Sequence, residues 1–185
     1  RVDRMANNAL GTPNEVTIYA LSRYLLDPST TPDECWKEWT VKRFGPEAAP
    51  IAESALRKTD EIITKTFFTL RCYFMQDHSN VPDYGYPAGH LRGSSAKGID
   101  DTLAANEPKL LDPTPESLAE VLAEKDRAIS LCREAIEEIR AGKNRFRPED
   151  YTWLQRYFER ELLLAKVYRQ LHEVYFRAEL AKKGM

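Results

Sequence analysis

The residues best suited to chemistry lie in one stretch, residues 76–113, where no helical period is sustained. His78 and His90 occur there with Asp77 and Asp83, and imidazole and carboxylate groups together suit zinc or iron. Their spacing matches no established metal motif. We therefore predict that Asp77 and His78 cap the end of a preceding helix while the others face solvent or a partner, and we assign no metal and no cofactor.

The same stretch carries side chains of the kinds that contact carbohydrate, namely His78, Tyr84, Tyr86, His90 and Arg92. Aromatic rings stack on the apolar faces of sugars, while polar side chains bond the hydroxyl groups. Packing against a neighbouring domain requires the same residue types, and we favour that interpretation over direct contact with a substrate. Both interpretations make this loop the predicted functional surface.

No catalytic centre can be nominated elsewhere in the sequence. It contains no glycine-rich phosphate loop, no HExxH pair and no GxSxG elbow. Acidic residues such as Glu134, Glu137 and Glu138 have the spacing of a solvated helix face. Nothing in the sequence indicates that the pKa of one carboxyl is raised while that of another is lowered, as acid–base catalysis requires. We therefore expect no catalysis by this chain alone.

Composition narrows the classes of partner. The chain carries 27 basic and 29 acidic side chains, for a net charge of -2, so no positive field attracts nucleic acid. No apolar run approaches a membrane span, so no membrane partner is predicted. Cys35, Cys72 and Cys132 are far apart and fit no metal pattern, which predicts buried free thiols. His172 has the position of a hydrogen-bonded core histidine. We assign no cellular compartment.

Two short helices are predicted near the N-terminus, each opened by a Thr-Pro sequence. Thr12-Pro13-Asn14-Glu15 has the residue types of a capping box, and the helix should run to about Leu26, before Asp27-Pro28. Thr31-Pro32-Asp33-Glu34 repeats this chemistry, and the second helix should end at Gly45. Residues 1–11, which have no period, are predicted to be a connector from a preceding domain.

Three long amphipathic helices are predicted to follow. The first runs from Ile51 to about Phe74, the second from Thr114 to just before Gly142, and the third from Pro148 to Gly184. The short link between the last two makes them antiparallel neighbours. No stretch alternates with a period of two. We predict an all-α helical bundle of about five helices over residues 12–185, two short and three long, with the irregular loop at 76–113.

The order of features in the first third of the chain resembles a junction in a known enzyme family. A helix carrying Asn, Tyr-Ala, Arg and Leu is followed by Asp-Pro, and then by a helix with two tryptophans that ends in an aromatic-Gly pair. The matching positions are Asn14, Tyr19, Ala20, Arg23, Leu25, Asp27, Pro28, Trp36, Trp39, Phe44 and Gly45. This arrangement resembles the start of the C-terminal helical region of family 67 α-glucuronidases and related barrel glycosidases.

The resemblance implies an accessory domain that packs on the catalytic barrel of the same parent chain and takes part in a homodimer or contributes a loop to a carbohydrate site. The family's catalytic carboxylates belong to the barrel, so none is carried over to this sequence. Because the chain starts at Arg1 without a leader, we expect a cut inside a longer chain. The alternative is a free-standing helical protein-interaction module, whose last helix offers apolar positions to a partner helix.

Overall fold

The computed structural model describes residues 11–70, 72–73, 97–98, 106, 108–110 and 112–184, with only the backbone described at 72–73 and 97–98. Six α-helices have both ends in this part of the chain: α1 (Glu15–Leu26), α2 (Pro32–Phe44), α3 (Ala49–Arg57), α4 (Thr59–Phe67), α5 (Pro115–Ala141) and α6 (Pro148–Lys182). Residues 106 and 108–110 are also helical. A short 3-10 helix, Lys143–Arg145, lies between α5 and α6. The predicted all-α class is confirmed.

The chain divides into two compact units. The first comprises Arg1–Arg57 and Ala135–Arg156, and the second comprises Lys58–Glu134 and Tyr157–Met185. Helices α5 and α6 therefore contribute residues to both. The predicted connector and the predicted loop lie mostly outside the described residues, so their boundaries stay predictions.

Only one of the two predicted capping boxes forms. At the start of α2, the Thr31 hydroxyl accepts from the Glu34 amide at 3.3 Å and the Glu34 carboxylate accepts from the Thr31 amide at 2.7 Å. The box predicted at Thr12 is wrong, because α1 begins at Glu15. The Glu15 amide is already bonded to the Thr12 carbonyl at 3.0 Å in a turn, which leaves the Thr12 hydroxyl to the amide of Asn14. The predicted end of α1 at Leu26 is confirmed.

The predicted long central helix is also wrong, since α3 and α4 are separate short helices and the chain then becomes extended. Phe68 has φ -96° and ψ 154° and begins a two-residue strand, β1 (Phe68–Thr69). Threonine and phenylalanine favour extended backbone, and they fill residues 66–69. Apolar spacing of three and four continues through the break, which is why the sequence pattern predicts a single helix.

A small antiparallel ladder was not predicted from the sequence. Strand β1 pairs with β2 (Cys72–Tyr73), which pairs in turn with β3 (Lys97–Gly98). Leu70, at the turn between β1 and β2, has a positive φ of 48°, a conformation that is uncommon outside glycine. Strands of two residues are too short to show an alternating pattern.

Each unit has its own core. In the second unit, α5 and α6 pack as antiparallel neighbours as predicted, because Leu118 and Val121 cluster with Phe176 and Leu180 while Ala128, Ile129 and Leu162 cluster with Ala165. In the first unit, rings meet mostly edge to face with centroids 5.8–6.4 Å apart. These rings belong to Trp36, Trp39, Phe44, Phe146 and Trp153. The predicted free thiols Cys35 and Cys132 are buried, while the side chain of Cys72 lies outside the described residues.

Candidate functional site

The residues predicted to form a substrate rim or domain contact lie outside the described part of the chain. These are His78, Tyr84, Tyr86, His90 and Arg92. The interpretation of that loop therefore stays a prediction. The structure instead offers two other kinds of candidate site, a buried polar cluster in the second unit and an exposed apolar helix face in the first.

The buried polar cluster centres on Lys125, whose side chain is fully buried on α5. Its ammonium group donates to the Lys65 carbonyl at 2.8 Å, to the Phe68 carbonyl, and to the Glu124 carboxylate at 2.9 Å. All three of its protons are thus engaged. Because helix α4 ends between these two carbonyls, Lys125 caps its C-terminus with a positive charge, as helix C-termini prefer.

Neighbouring polar groups fix the residue that follows β1. The Glu124 carboxylate also accepts from the Leu70 amide at 3.2 Å, and the side-chain amide of Asn106 donates to the Leu70 carbonyl at 2.9 Å. Both main-chain groups of Leu70 are therefore bonded to side chains. These bonds hold the positive φ of Leu70 in place and offset part of its conformational cost.

His172 on α6 completes the cluster and has a definite tautomer. Its Nδ1 lies 2.6 Å from the Tyr168 carbonyl and its Nε2 lies 2.6 Å from the Thr69 hydroxyl. Burial, together with the charge of Lys125, lowers the pKa of His172 to about 3, so the ring is neutral. A carbonyl only accepts, so Nδ1 carries the proton and Nε2 accepts from Thr69. The predicted hydrogen-bonded core histidine is confirmed.

The cluster is built for anchoring rather than for catalysis. Burial lowers the pKa of Lys125 to about 8, and the adjacent Glu124 opposes that shift. A lysine that acts as a nucleophile needs a free amine in contact with a substrate, whereas the Lys125 ammonium is enclosed and its protons are committed to protein oxygens. Its chemistry here is to hold the end of α4 and strand β1 against α5.

One carboxyl on α6, that of Glu161, is buried and has a raised pKa, which the sequence did not reveal. Glu161 on α6 is buried, and burial raises its pKa while Arg160, at 3.5 Å, lowers it. It also contributes to the raised pKa of Cys132, which burial brings to about 12. Acid–base hydrolysis of a glycoside needs a second carboxyl at a fixed separation, and none is among the groups that shift the pKa of Glu161. Glu161 alone is not a catalytic pair.

Helix α1 has an exposed apolar face, which we call the α1 face. Leu21, Leu25 and Leu26 are 59%, 77% and 81% exposed, and Ile18 is 39% exposed, whereas Val16 is the buried residue of the helix. Surface helices normally turn such residues inward. Contiguous exposed apolar side chains of this kind mark interaction surfaces.

Polar bonds, by contrast, tie α1 to α2. The Tyr19 hydroxyl donates to the Glu38 carboxylate at 2.8 Å, and the Arg23 guanidinium pairs with the same carboxylate at 2.9 Å. Tyr19 and Arg23 are two of the positions that carry the family resemblance, and Glu38 lies between Trp36 and Trp39, which are two more. Glu38 therefore joins Tyr19 and Arg23, two of the matching positions, to α2, whereas Leu25, another matching position, is exposed with Leu21 and Leu26.

A second apolar stripe, the α6 stripe, runs along the helix in the other unit. Leu163, Val167 and Val174 are each more than half exposed. Their spacing of four and seven residues places them on one side of an α-helix. They are fewer and farther apart than the residues of the α1 face.

Within the described residues, no group of three or more His, Cys, Asp or Glu side chains could hold a metal ion. In the same part of the chain, no helix is both long and apolar enough to cross a membrane. Comparisons with protein-family models, with curated proteins and with solved structures found no match to this chain.

Sequence patterns did contain a signal for the buried polar residues. Leu122 and Ile129 are apolar core positions of α5. Lys125 lies between them, three residues after Leu122 and four residues before Ile129. Glu161 likewise falls between Phe158 and Ala165 on the core stripe of α6. A charged residue at a core position of an amphipathic helix predicts a buried, bonded charge.

Proposed function

We propose that this chain is a helical accessory domain of a glycoside hydrolase, and that it docks through the α1 face on the enzyme's catalytic barrel. The proposal rests on the orientation of α1, which has polar side chains on its packed side and apolar side chains on its exposed side. The helix bonds to its own unit through Tyr19 and Arg23 and turns Leu21, Leu25 and Leu26 outward. Burying three leucine side chains against a partner stabilises a complex by several kcal/mol, about 1.5–3 for each.

The resemblance supplies the class of partner. Two of its matching positions, Tyr19 and Arg23, bond to α2 through Glu38, and a third, Leu25, belongs to the α1 face, which supports docking at this place. In the family that this chain resembles, the two carboxyls that glycoside hydrolysis needs belong to the barrel, so we assign the chemistry to that barrel.

The test uses the full product of the native gene that encodes this chain. We compare wild type with Leu21→Asp/Leu25→Asp by turnover of aryl glycosides, including an aryl glucuronide, and by thermal unfolding. We expect wild type to hydrolyse a glycoside, and the double variant to lose turnover and to unfold about 5 °C or more lower. The isolated 185-residue chain should hydrolyse none of these substrates.

The matched control is Leu163→Asp/Val167→Asp on the α6 stripe, because Leu163 is 63% exposed and Leu21 is 59% exposed. This variant should retain turnover and melting temperature. A native gene product without a barrel and without glycosidase activity would contradict the proposal. So would an α1 variant that behaves like wild type.

The α6 stripe favours a second candidate, a free-standing module that binds a partner helix along Leu163, Val167 and Val174. The same pair of variants separates the two candidates. Under this alternative, the α6 variant loses its partner in size-exclusion chromatography with light scattering, while the α1 variant keeps it.

A further inference from the structure

The first unit contains a cleft of ≈ 380 Å³ beside the turn that joins α2 to α3. Four of its lining residues are cationic, Lys42, Arg43, Arg145 and Arg147, whereas Glu47 is the one lining carboxylate. The whole chain carries a net charge of -2. The cleft is therefore rich in positive charge, although the chain as a whole has a small negative net charge.

Asp150 holds two of these cations in place. Its carboxylate is 1% exposed and accepts from the Arg43 guanidinium and from Arg147 Nε, the latter at 2.6 Å. Arg147 also donates to the Arg43 carbonyl at 2.8 Å. The exposed Glu149 carboxylate also lies 3.8 Å from Arg147 Nε. Both guanidinium groups nevertheless keep further N–H donors, since each has five.

Aromatic rings restrict Arg43 further. Its guanidinium carbon lies 5.2 Å from the centroid of the Phe44 ring and 5.4 Å from that of Trp153. Cation–π contacts of this kind keep the charge while limiting the rotamers of the side chain. The Arg43 side chain is therefore ordered before a ligand binds, so that binding costs little further conformational entropy.

The other two cations have no carboxylate partner within the described residues. Lys42 lies over the Tyr19 ring at 5.7 Å, and Arg145 comes from the 3-10 helix between α5 and α6. Basic residues in the last turn of α2 are expected from the helix dipole alone, and that accounts for Lys42 and Arg43. It does not account for Arg145 and Arg147, which reach the cleft from a distant part of the chain.

We propose that this cleft binds a small oxyanion, a carboxylate or a phosphate group, between Arg43, Arg145 and Arg147. Guanidinium groups present paired N–H donors that match the oxygens of both groups. The volume is in the range of small-ligand sites. This binding is separate from docking through the α1 face and does not depend on it.

The test is an NMR titration of the folded chain, which follows the arginine Nε–Hε signals at constant ionic strength. Sodium phosphate and sodium acetate are the two probes, and sodium chloride is the reference salt. We expect saturable shifts of the Arg43, Arg145 and Arg147 signals with phosphate, acetate or both. Saturation by one probe alone identifies which oxyanion the cleft takes.

Arg145→Gln is the informative variant, because within the described residues its side chain bonds no other group that the fold needs. We expect it to weaken binding about tenfold, the loss of one charged hydrogen-bonding partner. Arg133→Gln, an exposed arginine of α5 in the other unit, makes the same change in net charge and should leave the affinity unchanged. Shifts that do not saturate, that sodium chloride reproduces, or that the two variants weaken equally would overturn the proposal.

Discussion

The buried polar cluster around Lys125 and the cleft beside Arg43 both hold cations that are bonded to carboxylates. In the cluster these bonds stabilise the fold, whereas in the cleft they place cations where we propose that a ligand binds. In the cluster, the cation is fully buried and its three protons are bonded to protein oxygens. In the cleft, Asp150 is just as buried, but the arginines it holds are 26% and 58% exposed and keep unused donors. A cation whose donors are all committed stabilises the fold, whereas one with spare donors at the surface is available to a ligand.

The sharpest way to break this comparison is to remove each cation in turn. Lys125→Ala should lower the free energy of unfolding by about 4 kcal/mol, because it leaves two helix-end carbonyls and the Glu124 carboxylate without their buried partner. Arg145→Ala should change it by less than about 0.5 kcal/mol, as for other exposed side chains. Urea denaturation measures both values. Equal decreases in the free energy of unfolding would show that Lys125 does not stabilise the fold more than Arg145 does.

Acid tests the cluster through His172, whose folded pKa of about 3 lies below the unfolded value of 6.5. Below pH 6.5 the unfolded chain binds a proton that the folded chain rejects, so stability falls as pH falls toward 3. Between pH 7 and pH 4 we expect this residue to contribute a loss of about 3 kcal/mol.

The control for this measurement is His172→Asn, which keeps a side-chain donor and acceptor but does not titrate. Its free energy of unfolding should depend less steeply on pH over the same interval. Identical pH profiles for the two proteins, measured by urea denaturation at each pH, would mean that His172 is not held neutral by burial.

The smallest of the three expected losses concerns Asp150, the buried carboxylate that holds Arg43 and Arg147. Asp150→Asn should lower the free energy of unfolding by about 2 kcal/mol, because it leaves Arg43 and Arg147 without the buried charge that holds them. Glu149→Gln is the matched control, since Glu149 is 69% exposed and lies 3.8 Å from Arg147. It should cost less than about 0.5 kcal/mol. If both variants cost the same, the cleft is not organised by Asp150.

Much of the fold was predictable from residue types near one another in the chain. The box at Thr31 and Glu34, the end of α1 before Asp27-Pro28 and the start of α6 at Pro148 follow from backbone chemistry within a few residues. The main failure, the single long central helix, has a cause that is distant in the chain. Lys125 reaches the end of α4 from α5 and helps to stop the helix where the local pattern continues it.

The candidate sites were harder to predict. The loop residues chosen from the sequence, from His78 to Arg92, lie outside the described part of the chain, and their role stays a prediction. The α1 face was missed because the spacing of apolar residues shows that they share one side of a helix. It does not show whether that side packs against the protein or faces solvent. The cleft was missed because Arg43 and Arg147 are 104 positions apart.

The sequence by itself determined where α2, α5 and α6 begin and where α1, α2 and α5 end, because caps, prolines and glycines act on the backbone within one turn. It also determined that the class is all-α, since apolar residues recur with the helical period. Only the tertiary structure decided which polar groups are buried and bonded, which leucines face solvent and which cations converge. Those properties depend on segments distant in the chain, and burial changes the energy of a charge far more than any neighbour in sequence does.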